Sequence, residues 1–107
     1  MIDERTDVNF YADRSKTIEE RFREFDEANP QVYATLKKLA FEGVAAGMKK
    51  LGIRNLWEVM RWHIYMETRD PSHLKLNDHY HSRYVRKLIE ECPTLEPYFE
   101  LRALRAA

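Results

Sequence analysis

Apolar residues recur at intervals of three and four along most of the chain, the spacing that gathers them on one side of an α-helix. Ile18, Phe22 and Phe25 form the first such stripe. Thr17 and Glu20 precede it as a capping box, in which two orphan amides are satisfied reciprocally, and they predict a helix reaching Glu27 or Ala28. Asn29 and Pro30 give a second start signal, because asparagine caps and proline fits the first helical position. Val32, Leu36, Leu39, Ala40, Gly43, Val44, Gly47 and Leu51 continue that helix, and Gly52 reads as its left-handed stop. Ala40, Gly43 and Gly47 would form a smooth strip that another helix can approach closely.

After a very short connection at Ile53 and Arg54, Asn55 and Glu58 repeat the capping-box pattern and predict a helix from Leu56 to about Thr68. Only Glu58, Arg61, Tyr65 and Thr68 share a polar side of it. Leu56, Trp57, Val59, Met60, Trp62, Ile64 and Met66 spread over the rest, which predicts a central helix, apolar almost all round. Asp70, Pro71 and Ser72 break the pattern, and Leu74, Lys75 and Leu76 read as a short extended piece.

A last long helix is expected over 78–91, capped by Asn77 or Asp78 and ended by Pro93, which disfavours a helical conformation at Cys92. Its apolar side carries Tyr80, Tyr84, Val85, Leu88, Ile89 and Cys92. Opposite them cluster His79, Ser82, Arg83 and Arg86, flanked by Lys87 and Glu90. Thr94, Leu95, Glu96 and Pro97 read as a turn-like linker, followed by a short closing segment with Tyr98, Phe99, Leu101 and Leu104. The expected fold is all-α: a compact bundle of about four helices, with a helix-turn-helix-like arrangement and a short C-terminal segment. Residues 1–16 are expected as a flexible arm in which Val8, Phe10 and Tyr11 are available to pin it down, and residues 17–107 as a single helical domain.

Charge changes this picture more than composition does. An apolar share of 44% over 107 residues suits one folded domain. Lys and Arg balance Asp and Glu at 18 each, which argues against a surface that is wholly a nucleic-acid magnet. The balance conceals an asymmetry. Residues 1–30 carry five cations against nine anions, residues 31–87 eleven against five, and residues 88–107 two against four. The single Cys92 excludes an internal disulfide, and there is neither a readable leader nor an apolar run long enough for a membrane span, so a cytoplasmic location is expected.

The basic middle offers one sharp hypothesis. Arg83 and Arg86, assisted by Ser82, His79, Lys87 and Lys75, would form the donor face of a helix laid in a DNA groove, presented twice by a homodimer. The competing reading is a solvated outer face. Other chemistry is thin. His63 and Glu67 lie one turn apart and could begin a metal or acid–base pair with His73, but two residues do not make a site, and a side-chain pair at the margin of the core is the simpler reading. His79 and His81 would point about 200° apart on a helix, so no shared metal ion is expected. No glycine-rich phosphate loop, zinc-protease motif or activated nucleophile is present, and neither an enzymatic role nor a cofactor is expected.

Several of these residues also carry a resemblance. Asn29, Pro30, Val32 and Tyr33, then Gly52, Ile53, Leu56, Trp57 and Glu58, are similar to positions in a class of small proteins encoded by tailed phages and prophages. So are Lys75, Leu76 and Asn77 with Ser82, Arg83, Tyr84 and Arg86, and Phe99, Glu100 and Arg102 near the end. The resemblance spans roughly residues 18–105 and brings no established activity with it. It implies a phage or prophage setting, in which DNA-binding regulators and factors that dock on a host protein are both at home. For the second role the sequence offers Trp57, Trp62, Tyr65, Tyr80, Tyr84 and Tyr98, residue types enriched at binding hot spots.

Overall fold

The computed structural model describes residues 16–75 and 79–99, the side chains of His73 and Lys75 excepted. The expected arm up to Ser15, the cap positions Asn77 and Asp78, and the closing residues Leu101, Arg102 and Leu104 lie outside the described residues. Among the described residues, four α-helices form an all-α bundle: α1 Ile18–Ala28, α2 Pro30–Ala45, α3 Ile53–Thr68 and α4 His81–Glu91. Two 3₁₀ helices, Pro71–Lys75 and Pro93–Tyr98, follow α3 and α4 respectively.

Local chemistry accounts for the helix ends. Thr17 and Glu20 make the predicted capping box, with the Thr17 amide donating to the Glu20 carboxylate at 2.8 Å and the Glu20 amide donating to the Thr17 hydroxyl at 3.1 Å. The bond from the Thr17 backbone holds the Glu20 carboxyl below its usual pKa. Asn29 does not cap α2 with its side chain as expected. Only this one residue separates α1 from α2, and its amide and side-chain Nδ2 both donate to the Phe25 carbonyl, closing α1 instead.

Helix α2 ends six residues earlier than the sequence suggests. The Gly47 amide donates to Val44 and the Met48 amide to Gly43, a Schellman closure that needs the left-handed φ of 96° found at Gly47. Gly52, the expected stop, is extended and stands at the N-cap of α3. Residues 46–52 therefore form the connection, and Asn55 lies inside α3 rather than capping it. Gly43 makes room for this connection and not for another helix: a Cβ there would meet Leu51 Cδ2 at 2.9 Å. Leu51 is buried, and its amide donates to the Tyr98 carbonyl at 2.7 Å, tying the link to the C-terminal 3₁₀ turn.

The expected extended piece at Leu74 and Lys75 is 3₁₀-helical, set up by a turn in which the Ser72 amide donates to Asp70 Oδ1 at 3.0 Å. The expected linker after Pro93 is 3₁₀-helical as well, and Leu95 and Phe99 close over the core. Helix α4 begins at His81, with Tyr80 at its N-cap, and ends at Glu91 as Pro93 dictates.

The core gathers Phe22 from α1, Val32, Leu36 and Ala40 from α2, Leu56, Trp57, Met60 and Ile64 from α3, and Tyr84, Val85 and Leu88 from α4. Tyr84 is its hub. Its ring meets Phe22 edge-on at 4.8 Å and Trp57 at 5.7 Å, and stacks on Tyr33 at 6.3 Å, so one side chain joins all four helices.

Candidate functional site

Two faces compete to be the site: the polar side of α4 and the outer side of α3. On α4 the residues at helical spacing fall where the pattern puts them, but their charges do not face outward as expected. Arg83 Nε donates to Glu19 Oε1 of α1 at 2.9 Å, and the arginine side chain is only 15% exposed. Lys87 bonds Asp26 of α1, and its ammonium also sits 4.1 Å above the Tyr33 ring. Both cations thus hold α1 against α4. Phe22 and Phe25 pack on Tyr80 beneath them, with ring centroids 5.8 and 5.2 Å apart.

Among the described residues of the proposed nucleic-acid face, Ser82 and His79 do not extend an outward surface on α4 beside them. Ser82 is buried, because α1 and α3 enclose α4 from two sides and leave it a narrower open arc than its polar residues mark. His79 is exposed but lies in the turn before α4, outside the helix. Arg86 is half-buried and has an interaction of its own. The Lys75 side chain lies outside the described residues.

Acids interleave with the bases along this side of the bundle. The Tyr33 hydroxyl donates to Glu91 Oε1 at 2.8 Å, and the Lys37 ammonium lies 3.8 Å from the same carboxylate. Burial, then the bond to Glu91, raises the Tyr33 pKa. Burial raises the Tyr84 hydroxyl in the same way, helped by the charge of Asp26. What sequence reasoning missed here is α1: its charged outer side supplies Glu19 and Asp26 as counter-ions. A carboxylate from another helix cannot be read from the periodicity of α4 alone.

The outer face of α3 is the opposite case. Expected as a central helix with only Glu58, Arg61, Tyr65 and Thr68 on a polar side, it buries Leu56, Trp57, Met60 and Ile64 but turns Val59, Trp62 and Met66 to solvent. These are 49%, 58% and 43% exposed, and at about 100° per residue they fall within one narrow stripe. Tyr65 flanks it, its ring 5.8 Å from that of Trp62. Glu58 and Arg61 pair beside the stripe at 2.5 Å. A contiguous apolar stripe with a polar rim is the anatomy of a contact surface, with tryptophan the residue type that most often anchors one.

Metal-ligating chemistry is sparse. His63 Nε2 lies 3.4 Å from Glu67 at the margin of α3, and among the described residues no group of three or more His, Cys, Asp or Glu is placed to hold an ion. A shallow groove outside α1 is lined by Lys16, Glu20, Arg23, Glu24 and Glu27, with Lys16 bonded to both Glu24 oxygens. No helix among the described residues is long and apolar enough to cross a membrane. Comparison with protein-family models, with curated proteins and with solved structures finds no match to this chain.

Proposed function

We propose that this protein is a non-catalytic interaction module that docks on another polypeptide through the outer face of α3. The observation that carries the reading is Trp62, 58% exposed between Val59 and Met66 on a helix whose other side is core. Exposing this much apolar surface has no benefit to the isolated fold, and covering it removes that area from water at roughly 25 cal/mol per Å². In the phage setting implied by the sequence resemblance, such a module acts as an accessory or inhibitory factor on a host protein. The nucleic-acid reading has weaker support. Arg83 and Lys87 are spent on Glu19 and Asp26, which leaves scattered exposed lysines such as Lys38, Lys49 and Lys50.

Affinity capture from nuclease-treated host lysate, with the wild type beside Trp62→Ser/Met66→Gln, tests this. The expected result is a captured protein that survives nuclease and is lost with the double variant. Capture that disappears with nuclease and ignores the double variant would return the argument to nucleic acid.

A further inference from the structure

We infer that α1 is a detachable cover on α4: it swings away as a unit about Asn29 while α2, α3 and α4 stay folded, and so governs access to the polar face of α4. This is independent of what docks on α3. Helix α1 is held by less apolar contact than the helix it covers. Both are 11 residues long, yet α4 buries Ser82, Tyr84, Val85 and Leu88, and α1 buries Phe22 alone. Ile18 and Phe25 of α1 are only partly covered. Segments with few buried apolar contacts open at a free energy below that of the whole fold.

Two ion pairs fasten α1 at both ends. Glu19 in its first turn meets Arg83 at 2.9 Å, and Asp26 in its last turn meets Lys87. The Glu19 side chain is 54% exposed, so dissolved ions reach that pair and weaken it. The fastening therefore loosens as ionic strength rises.

The junction is built to turn. Asn29 is the one residue between α1 and α2. Its amide donates back to the Phe25 carbonyl, and its carbonyl accepts forward from the Val32 amide. These bonds lie on opposite sides of its two rotatable backbone bonds, so a change in φ and ψ at Asn29 swings α1 without costing either helix its end. Beyond the hinge the core has its own contacts. Leu36, Met60, Ile64 and Leu88 are buried across α2, α3 and α4, Tyr84 keeps the rings of Trp57 and Tyr33, and Leu51 stays bonded to Tyr98. Opening bares the Tyr80 ring, which Phe22 and Phe25 cover, and frees Arg83 and Lys87. It also sends Phe22 into water, so the closed form predominates.

Native-state hydrogen exchange on the whole chain, in urea below the unfolding transition, tests the inference. The amides of residues 22–28 are expected to exchange together, faster than those of Leu36, Met60 and Leu88 and with a shallower dependence on urea. Raising salt from about 0.05 to 0.5 M should speed α1 several-fold. Glu19→Gln/Asp26→Asn should speed it by about tenfold and remove most of the response to salt. Exchange of α1 in step with Leu36, Met60 and Leu88, at the same urea slope, overturns the cover. Protection that falls away residue by residue toward Ile18 overturns it too, because that is fraying of one end. Separate opening that ignores both salt and the double variant overturns the ion pairs as the fastening.

Discussion

The outer faces of α3 and α4 have exchanged the roles their residues suggest. Helix α4 carries arginine and lysine outward, and they are used up within the chain, on Glu19 and Asp26 of α1. Helix α3 carries valine, tryptophan and methionine outward, and within the described residues nothing covers them. Residue type says what a side chain can do, while topology decides whether the fold itself consumes that capacity. A cation beside a carboxylate at contact distance has given its charge to the scaffold, whereas an uncovered tryptophan still has its contact area to offer.

The sharpest way to break this comparison is to remove a counter-ion. Asp26→Ala leaves the Lys87 ammonium half-buried over the Tyr33 ring with no carboxylate. We expect a loss of about 1–3 kcal/mol, below the 3–5 kcal/mol of a fully buried pair because both groups keep some solvent. That is read as a lower urea midpoint with an unchanged slope. An unchanged midpoint would mean that Lys87 is solvated after all, and would reopen the polar face of α4 to outside partners.

A smaller effect comes from the tyrosines beneath that face. Burial raises the pKa of Tyr33, Tyr80 and Tyr84 above their ordinary value of 10.0, so the folded chain keeps protons that the unfolded chain releases. Their contribution is complete below pH 10 and is lost as pH rises beyond it. The Tyr84 hydroxyl is buried with no hydrogen-bond partner, and burial is the first cause of its raised pKa. Tyr84→Phe should therefore be nearly neutral at pH 7 and flatten the loss of stability above pH 10, as measured by urea titration across pH. Alkaline sensitivity equal to wild type would show that the ring is reached by solvent.

Much of the fold was legible because it is written locally. Thr17 and Glu20 sit three residues apart, Pro93 limits the residue before it, and Leu88 lies one turn from Tyr84. The errors share a cause: competing local signals that only long-range contacts decide. Apolar spacing runs unbroken through Gly47 to Leu51, so Gly52 looked like the stop. In fact Leu51 is buried as part of a link that folds back over Gly43 and is held by Tyr98. Asn29 can cap forward or close backward, and the one-residue junction between α1 and α2 selects the second. The candidate site was harder still. Arg83 and Glu19 are 64 positions apart, and Lys87 and Asp26 are 61 apart, so no helical wheel contains both partners. The exposure of Trp62 was hidden for the converse reason: apolar residues all round a helix indicate burial only if enough neighbours exist to surround it.

The α4 charges serve the fold, and the α3 apolar groups serve a contact. Thermal unfolding of two double variants at sub-micromolar concentration, where any self-association is dissolved, measures this most directly. Arg83→Gln/Lys87→Gln should lower the melting temperature by several degrees, whereas Val59→Thr/Trp62→Ser should change the stability by no more than about 0.5 kcal/mol and so leave the melting temperature close to that of wild type. The reverse outcome, a stable α4 variant and an unfolded α3 variant, would contradict the account by making Trp62 part of the core and returning Arg83 and Lys87 to the surface.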